Sequence, residues 1–348
     1  METKAINKIN WPVSILLLII AFLTEGCQKA NVDFESDISS GKTPWNYVPS
    51  QKPGNDFTFA VISDLNSGER PGVFEVAVEQ LNMLRPDFIL SIGDLIEGGS
   101  EDTLHLKKEF DFFDQRVSKA YAPFFHVGGN HDLTSSVMQT YWQKRYGRTY
   151  YYFVYHNVLF LQINTEDYSQ KRMSEIYTAR KRALELLDSG KKELAAQSDY
   201  FKMPERLTGE ISNEQSEYFE KVIADHRDVE WTFLLMHKPV WRREGDGGLS
   251  RIEKALYKRK YTVINGHLHE YGYATKNNLD YITLATTGGG QNNKSKNAFD
   301  HILWVTFTHA EPSMANLKLE GILDKTGNIP RQGDTLCFQA SKCMDSKK

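Results

Sequence analysis

The 348-residue sequence has little cysteine, no excess of either charge and only one long apolar run. Its three cysteines are too few for a disulfide scaffold or a zinc module built from thiolates. The formal net charge of −3 lacks the basic surplus that binding to a nucleic-acid duplex calls for, so no such partner is expected. No collagen period and no repeat at solenoid spacing is present. What remains is the composition of a folded globular chain, 40% apolar and 25% charged. The chain is long enough to bury a large core without metal or disulfide staples.

The one long apolar run, Val13 to Leu23, follows Lys4 and Lys8. A basic start before an apolar stretch of about 7–15 residues is a secretory signal pattern. The run falls short of the roughly 20 residues that a membrane-spanning helix needs. It leads into Gly26-Cys27. This resembles the signal of bacterial lipoproteins, whose cysteine becomes a lipidated N-terminus. The resemblance implies an exported periplasmic or cell-surface protein, held to the membrane by a lipid anchor on Cys27. Residues 1–26 are then signal. Residues 27–55, polar and carrying Pro44, Pro49, Pro53 and Gly54, read as a flexible tether. In an exported chain Cys337 and Cys343 form a small disulfide loop or stay free thiols; the sequence leaves both open.

The main domain is expected over 56–310, with a C-terminal strand and tail over 311–348. Phe57 to Ile62, Asp87 to Ile92 and Ala122 to Val127 are short apolar runs rich in β-branched and aromatic residues. Helical spacing of Val73, Ala77, Leu81 and Leu84, and the charged stretch from Thr103 to Ala120, fall between them. Strand–helix–strand alternation predicts helices packed on a largely parallel sheet. Tyr150 to Tyr155 and Val158 to Ile163 flank His156-Asn157 as a hairpin. A helix over 212–224 and strands over 231–236 and 261–265 follow. Runs over 271–275, 281–285, 301–308 and 315–322 read as a later antiparallel series. An α/β fold of two mixed sheets packed face to face and flanked by helices accounts for the mixture. The Lys-, Arg- and Glu-rich stretch over about 166–206 interrupts the pattern as a helical insertion, read as a surface cap.

Five polar segments each close an apolar strand: Ser63-Asp64-Leu65-Asn66, Gly93-Asp94, Gly129-Asn130-His131-Asp132, Met236-His237-Lys238 and Gly266-His267-Leu268-His269. Strand ends are where α/β sheets place ligand sites. Asp64 and Asp94 suit hard cations, His237, His267 and His269 suit Zn, Fe or Mn, and Asn130 offers a neutral oxygen. Such a mixed set can hold two ions about 3.5–4 Å apart with one carboxylate bridging them. Weaker candidates for substrate binding are Arg242, Arg243 and the backbone of Gly289 within Gly288-Gly289-Gly290.

In order and context these segments resemble the calcineurin-like metallophosphoesterase superfamily, over about Phe57 to Thr308. The resemblance implies a four-layer sandwich and a cofactor of two divalent or trivalent ions, Fe, Mn or Zn. Asp64 and His269 would hold the first ion, Asn130, His237 and His267 the second, and Asp94 would bridge them. A hydroxide between the ions would attack a phosphate ester. His131 would serve the leaving group as proton donor or charge stabiliser, with Asp132 orienting its ring. Asn66 stands where the family usually has His. It would bind through its carbonyl or a water, leaving the first site weaker or selective for a harder ion. The partner is thus a small or macromolecular phosphate ester. The other readings are a phosphodiesterase on nucleotides or lipid head groups and a degenerate metal-binding or scaffold protein.

Overall fold

The computed structural model describes residues 34–50, 52–245 and 247–345. The expected signal segment and Cys27 lie outside the described residues. The described chain first forms β1 (Phe34–Glu35), β2 (Phe57–Ile62), α1 (Val73–Leu84), β3 (Phe88–Ser91), α2 (Thr103–Val117) and β4 (Phe124–Phe125). Helices α3 (Asn130–Leu133) and α4 (Ser136–Tyr146) lead to the hairpin of β5 (Tyr151–Tyr155) and β6 (Val158–Ile163). Then come α5 (Gln170–Asp188), α6 (Lys192–Gln197) and α7 (Asp199–Lys202). The second half runs α8 (Asn213–Asp225), β7 (Trp231–Met236), α9 (Leu249–Ala255), β8 (Tyr261–Asn265), β9 (Gly272–Lys276), β10 (Leu279–Thr283), β11 (His301–Thr308), β12 (Glu311–Lys318) and α10 (Ala340–Asp345).

Two sheets result, with strand orders β1-β5-β6-β7-β8-β10-β9 and β12-β11-β2-β3-β4. Alternation sends aromatic side chains of both sheets into the space between them. Phe57, Phe59, Phe88 and Phe125 there meet Phe153, Tyr155, Phe160 and Phe233. Phe153 stacks on Phe160 at 4.6 Å, and Phe88 meets Phe160 edge to face at 5.4 Å. Such pairs add about 0.5–1.5 kcal/mol each beyond their burial. Phe74, Leu81, Phe110 and Phe113 of α1 and α2 cover the outer face of the smaller sheet. Phe219, Val222 and Ile252 of α8 and α9 cover the larger one. The layers are therefore helix, sheet, sheet, helix, as expected from the strand pattern. The β5–β6 turn is closed by His156 and Asn157 at φ of 44° and 62°, the left-handed pair that a tight two-residue hairpin needs.

Three expectations need correction. Residues 34–50 are not a tether, because β1 pairs antiparallel with β5 and Trp45 packs on Phe125 and Tyr151. Two aromatic anchors outweigh the polar composition around them. The later strands are not one antiparallel series: β10 runs parallel to β8 and antiparallel only to β9, while β11 joins the other sheet beside β2. Finally, β12 pairs with β11 along its whole length, so the domain continues past residue 310. Of the two states left open for Cys337 and Cys343, the structure has the disulfide. No helix among the described residues is long and apolar enough to cross a membrane.

Candidate metal centre

The five segments follow β2, β3, β4, β7 and β8, and their side chains converge. Among the described residues, Asp94, His237 and His267 offer ligand atoms within 4.8 Å of one another, and so do Asp64, Asp94 and His269. Asp94 belongs to both groups. The approach is close enough to require glycine behind it. A Cβ on Gly93 would lie 2.7 Å from the Gly129 nitrogen, and one on Gly266 2.5 Å from Asp64 Oδ2. Asp64, Asp94, His267 and His269 all adopt positive φ, between 49° and 75°. Left-handed backbone at a non-glycine residue costs about 1–3 kcal/mol and persists where the surroundings enforce it.

Each ligating histidine is aimed by its other ring nitrogen. His237 Nδ1 donates to Ile92 O at 2.8 Å, which turns Nε2 toward Asp94 Oδ2 at 3.1 Å and Asn130 Oδ1 at 3.2 Å. His269 Nδ1 donates to Gly290 O, leaving Nε2 at 3.2 Å from Asp64 Oδ1. His267 donates from Nε2 to Arg206 O at 2.7 Å, so its Nδ1 is the free ligand atom. A ring nitrogen fixed to a backbone carbonyl is the usual orienting contact of a metal-binding histidine. Burial alone would raise the Asp94 carboxyl, but the charges on His237 and then His131 hold it well below the usual carboxylate range. Burial opposes charge on His237 and His269, yet Asp94 and Asp64 respectively lift them to about 9. Protons thus share the lone pairs that ions would use.

Asn66 is fully buried, and its Nδ2 donates to Asp94 Oδ2 at 2.7 Å. Its Oδ1 is buried with no hydrogen-bond partner. A buried, unpartnered oxygen on a side chain that also bonds Asp94 suits a cation ligand, and with two ligand groups sharing Asp94 the residues present fit a two-ion centre. A cleft of about 230 Å³ opens over it, lined by Ser67, Asp94, Asn130, His131, His267 and His269 together with Tyr200, Arg206 and Leu207. The last three come from the insertion and the turn after it, so the insertion walls the centre rather than decorating a remote surface.

Other expected roles are not met. Asp132 does not orient His131. Its carboxylate accepts from the backbone N–H groups of Asp94 and Gly129 at 2.8 Å and of Leu95 at 3.1 Å, so it shapes the loop that carries Asp94. His131 instead donates from Nδ1 to Glu97 O, and its Nε2 lies 3.1 Å from Arg180 Nη2. Burial lowers His131 to about 4, with Asp94 opposing and Arg180 assisting. Arg242 donates to Thr283 Oγ1 and stacks on Trp241, while Arg243 donates to Gly209 O and pairs with Glu210. Neither lines the cleft. Gly289 N–H donates to Asp64 O at 3.1 Å, and a Cβ there would lie 2.6 Å from that oxygen. Its amide is spent on holding the Asp64 loop rather than offered to a phosphate. Sequence reasoning missed Tyr200, Arg206 and Leu207 of the cleft wall, because no motif marks them in the charged insertion and the turn after it.

Two layered sheets with a carboxylate shared between two ligand groups define a class, the dinuclear metallophosphoesterases. The chain belongs to the calcineurin-like phosphoesterase family, whose sequence model matches residues 57–271. A dimetal phosphatase from Danio rerio superposes with a TM-score of 0.51 at 17% identity, over 75% of this chain and 96% of that one. A purple acid phosphatase from yellow lupin (Lupinus luteus) seeds gives 0.51 at 13% identity, over 78% of this chain and 52% of that one. At such identities the likeness is one of fold. No curated protein matches the sequence.

Proposed function

We propose that the protein hydrolyses phosphate esters at a two-ion centre. Asp64, Asn66, Asp94 and His269 hold one ion, and Asp94, Asn130, His237 and His267 the other. The observation that carries this reading is the place of Asp94 in both ligand groups. When bound, such a pair of ions supplies Lewis acidity toward a phosphoryl group and an acidified water. The chain's own residues do the rest. Asp94 neutralises both cations, and the backbone carbonyls of Ile92, Arg206 and Gly290 fix the three imidazoles. His131 presents its ring to the cleft, and Tyr200 and Leu207 restrict water around the reacting phosphate.

The test is turnover of 4-nitrophenyl phosphate and bis(4-nitrophenyl) phosphate with added Mn, Zn or Fe. Metal-dependent release of nitrophenol is expected, with Asp94→Asn losing both ions and nearly all activity. Full activity in Asp94→Asn, or none in a wild type carrying two ions, rejects the reading. Elemental analysis of protein purified without added metal identifies the ions.

We also propose export and lipid anchoring at Cys27. The basic and apolar segments before it support this. So does the Cys337–Cys343 disulfide, since such bonds persist in oxidising compartments. Cys27→Ser should move the protein to the soluble fraction; equal membrane association of both forms rejects the anchor.

A further inference from the structure

The run Gly288-Gly289-Gly290 lies between β10 and β11 and faces the loop that carries Asp64 and Asn66. Backbone bonds lace the two segments together. Thr287 N–H donates to Ser63 O at 2.7 Å, Gly289 N–H to Asp64 O at 3.1 Å and Gly290 N–H to Asn66 O at 2.8 Å. So close an approach needs glycine, because a Cβ on Gly290 would overlap Ser67 O. Gly290 O in turn accepts from His269 Nδ1. One strap of backbone thus touches Asp64, Asn66 and His269, the residues proposed to hold the first ion with the shared Asp94. His237 and His267 are fixed elsewhere, by Ile92 O and Arg206 O.

Arg70, on the same loop as Asn66, grips this strap. Its own N–H donates to Gly288 O at 2.8 Å. Its guanidinium donates to Gly289 O from Nη2 at 2.8 Å and from Nε at 3.2 Å. The other contacts anchor the guanidinium itself. Nη2 pairs with Asp300 Oδ1 at 2.7 Å, and Nη1 donates at 2.7 Å to the carbonyl of Cys337, where the disulfide loop begins. The Asp300 side chain is fully buried, so the pair is not a mobile surface contact. A peptide unit is planar. The Gly289 carbonyl that Arg70 holds and the Gly290 N–H that meets Asn66 O are two ends of one rigid plate. Fixing Gly289 O therefore sets the direction of Gly290 N–H, and Gly290 is the residue whose carbonyl aims His269.

We propose that Arg70 is a positioning residue for the first ion: through the Gly289–Gly290 peptide it presets Asp64, Asn66 and His269, and so sets that ion's affinity apart from the second's. The inference rests on the two-ion reading and adds what governs one half of the centre. Asn66 brings a neutral amide oxygen where an imidazole would bind late first-row ions more strongly. Such a donor set relies on being held in place before the ion arrives, because ordering flexible groups on binding costs affinity. Groups that hold metal ligands through hydrogen bonds act in this way at metal sites generally.

Calorimetric titration of manganese into the full chain reads this in two backgrounds. His237→Ala removes a ligand of the second ion and His269→Ala one of the first, so each background follows the other ion. Arg70→Met with Asp300→Asn is added to both, a paired change that leaves no unpaired charge in the interior. Asparagine keeps an oxygen for the Gly288 N–H and the Thr286 hydroxyl that Asp300 now serves. The pair should weaken the first ion about 10–100-fold and the second less than about threefold. Equal weakening of both ions, as a merely structural role would give, overturns the proposal, and so does an unchanged first ion. Arg70→Lys keeps a charge for Asp300 but loses the fork on Gly289 O. It should show the same split at smaller size, and if the paired variant does not fold, absence of a split in Arg70→Lys overturns the proposal. A wild type that binds no ion overturns it together with the two-ion reading. Should wild type bind two ions and show the split yet hydrolyse neither nitrophenyl ester, the phosphoesterase reading fails and the role of Arg70 stands.

Discussion

Replacing Lys238 by methionine probes how the insertion is fastened to the centre. Lys238 directly follows His237. Its Nζ lies 2.7 Å from Glu166 Oε1 and donates to Glu205 O at 2.8 Å. Glu166 opens the insertion and Glu205 lies at its end, so one ammonium ties both. The two side chains are 2% and 0% exposed. Burial pushes the Glu166 carboxyl up, and the Lys238 charge opposes that rise. Methionine keeps most of the apolar stem and removes the charge, leaving a carboxylate in the interior with no cation. Removing one partner of a buried pair costs about 3–5 kcal/mol, whereas removing both charges often costs little. Urea unfolding of wild type, Lys238→Met, Glu166→Gln and the double variant, at one fixed metal load, measures the coupling. Each single variant should lose about 3–5 kcal/mol and the double far less than their sum. Losses that add to within about 0.5 kcal/mol would refute the argument. Lys238→Met should also speed proteolytic cleavage inside 166–206.

Three further outcomes are expected. His131→Ala should keep both ions and slow turnover, because a ring that lines the cleft is lost; loss of an ion would make His131 a ligand instead. Asn66→His replaces an amide whose oxygen has no partner by an imidazole, so Zn or Fe should bind more tightly at the proposed first site while the second is unchanged. Metal titration reads this, and a wild type already holding two tight ions refutes a weak first site. Burial lifts the Asp300 carboxyl from 3.8 to about 6 against the pull of Arg70. The folded state then keeps the proton longer than the unfolded one. The contribution is present below about pH 4 and lost as pH rises toward 6. Wild type should lose up to about 3 kcal/mol across that window relative to Asp300→Asn. A pH-independent difference in urea unfolding between the two refutes it.

The candidate metal-binding residues were legible because each follows the end of a strand, and Asp94, Asn130 and His267 adjoin glycines that the close approach demands. Gly93-Asp94 and Gly266-His267 announce both facts in two letters. The two-sheet core was legible from runs such as Phe57 to Ile62, whose composition fits only a buried strand. Parallel pairing of β10 with β8 was not, because partner choice lies between segments rather than within one. Residues 34–50 were misread because Phe34 and Trp45 are single anchors in a polar stretch, and burial of one ring leaves no period. Arg242 and Arg243 looked available next to His237, yet Thr283, Gly209 and Glu210 had already claimed them. Arg180 is the opposite case. It is buried on the stripe of Met173, Ile176 and Ala183, yet a charge-rich helix hides one misplaced charge among many in the sequence.

Asp64, proposed to hold the first ion, follows the smaller sheet, while His237, His267 and His269 follow the larger one. Any ion held between Asp94 and His237, or between Asp64 and His269, is therefore a rivet through the seam between the two halves of the sandwich. At a free concentration of 100 times Kd, each rivet adds about 2.7 kcal/mol to the folded state. Chelation should then loosen the fold as a whole and not merely silence a surface cleft. The aromatic seam and the candidate metal centre become two fastenings of the same joint, one permanent and one that the metal supply can open.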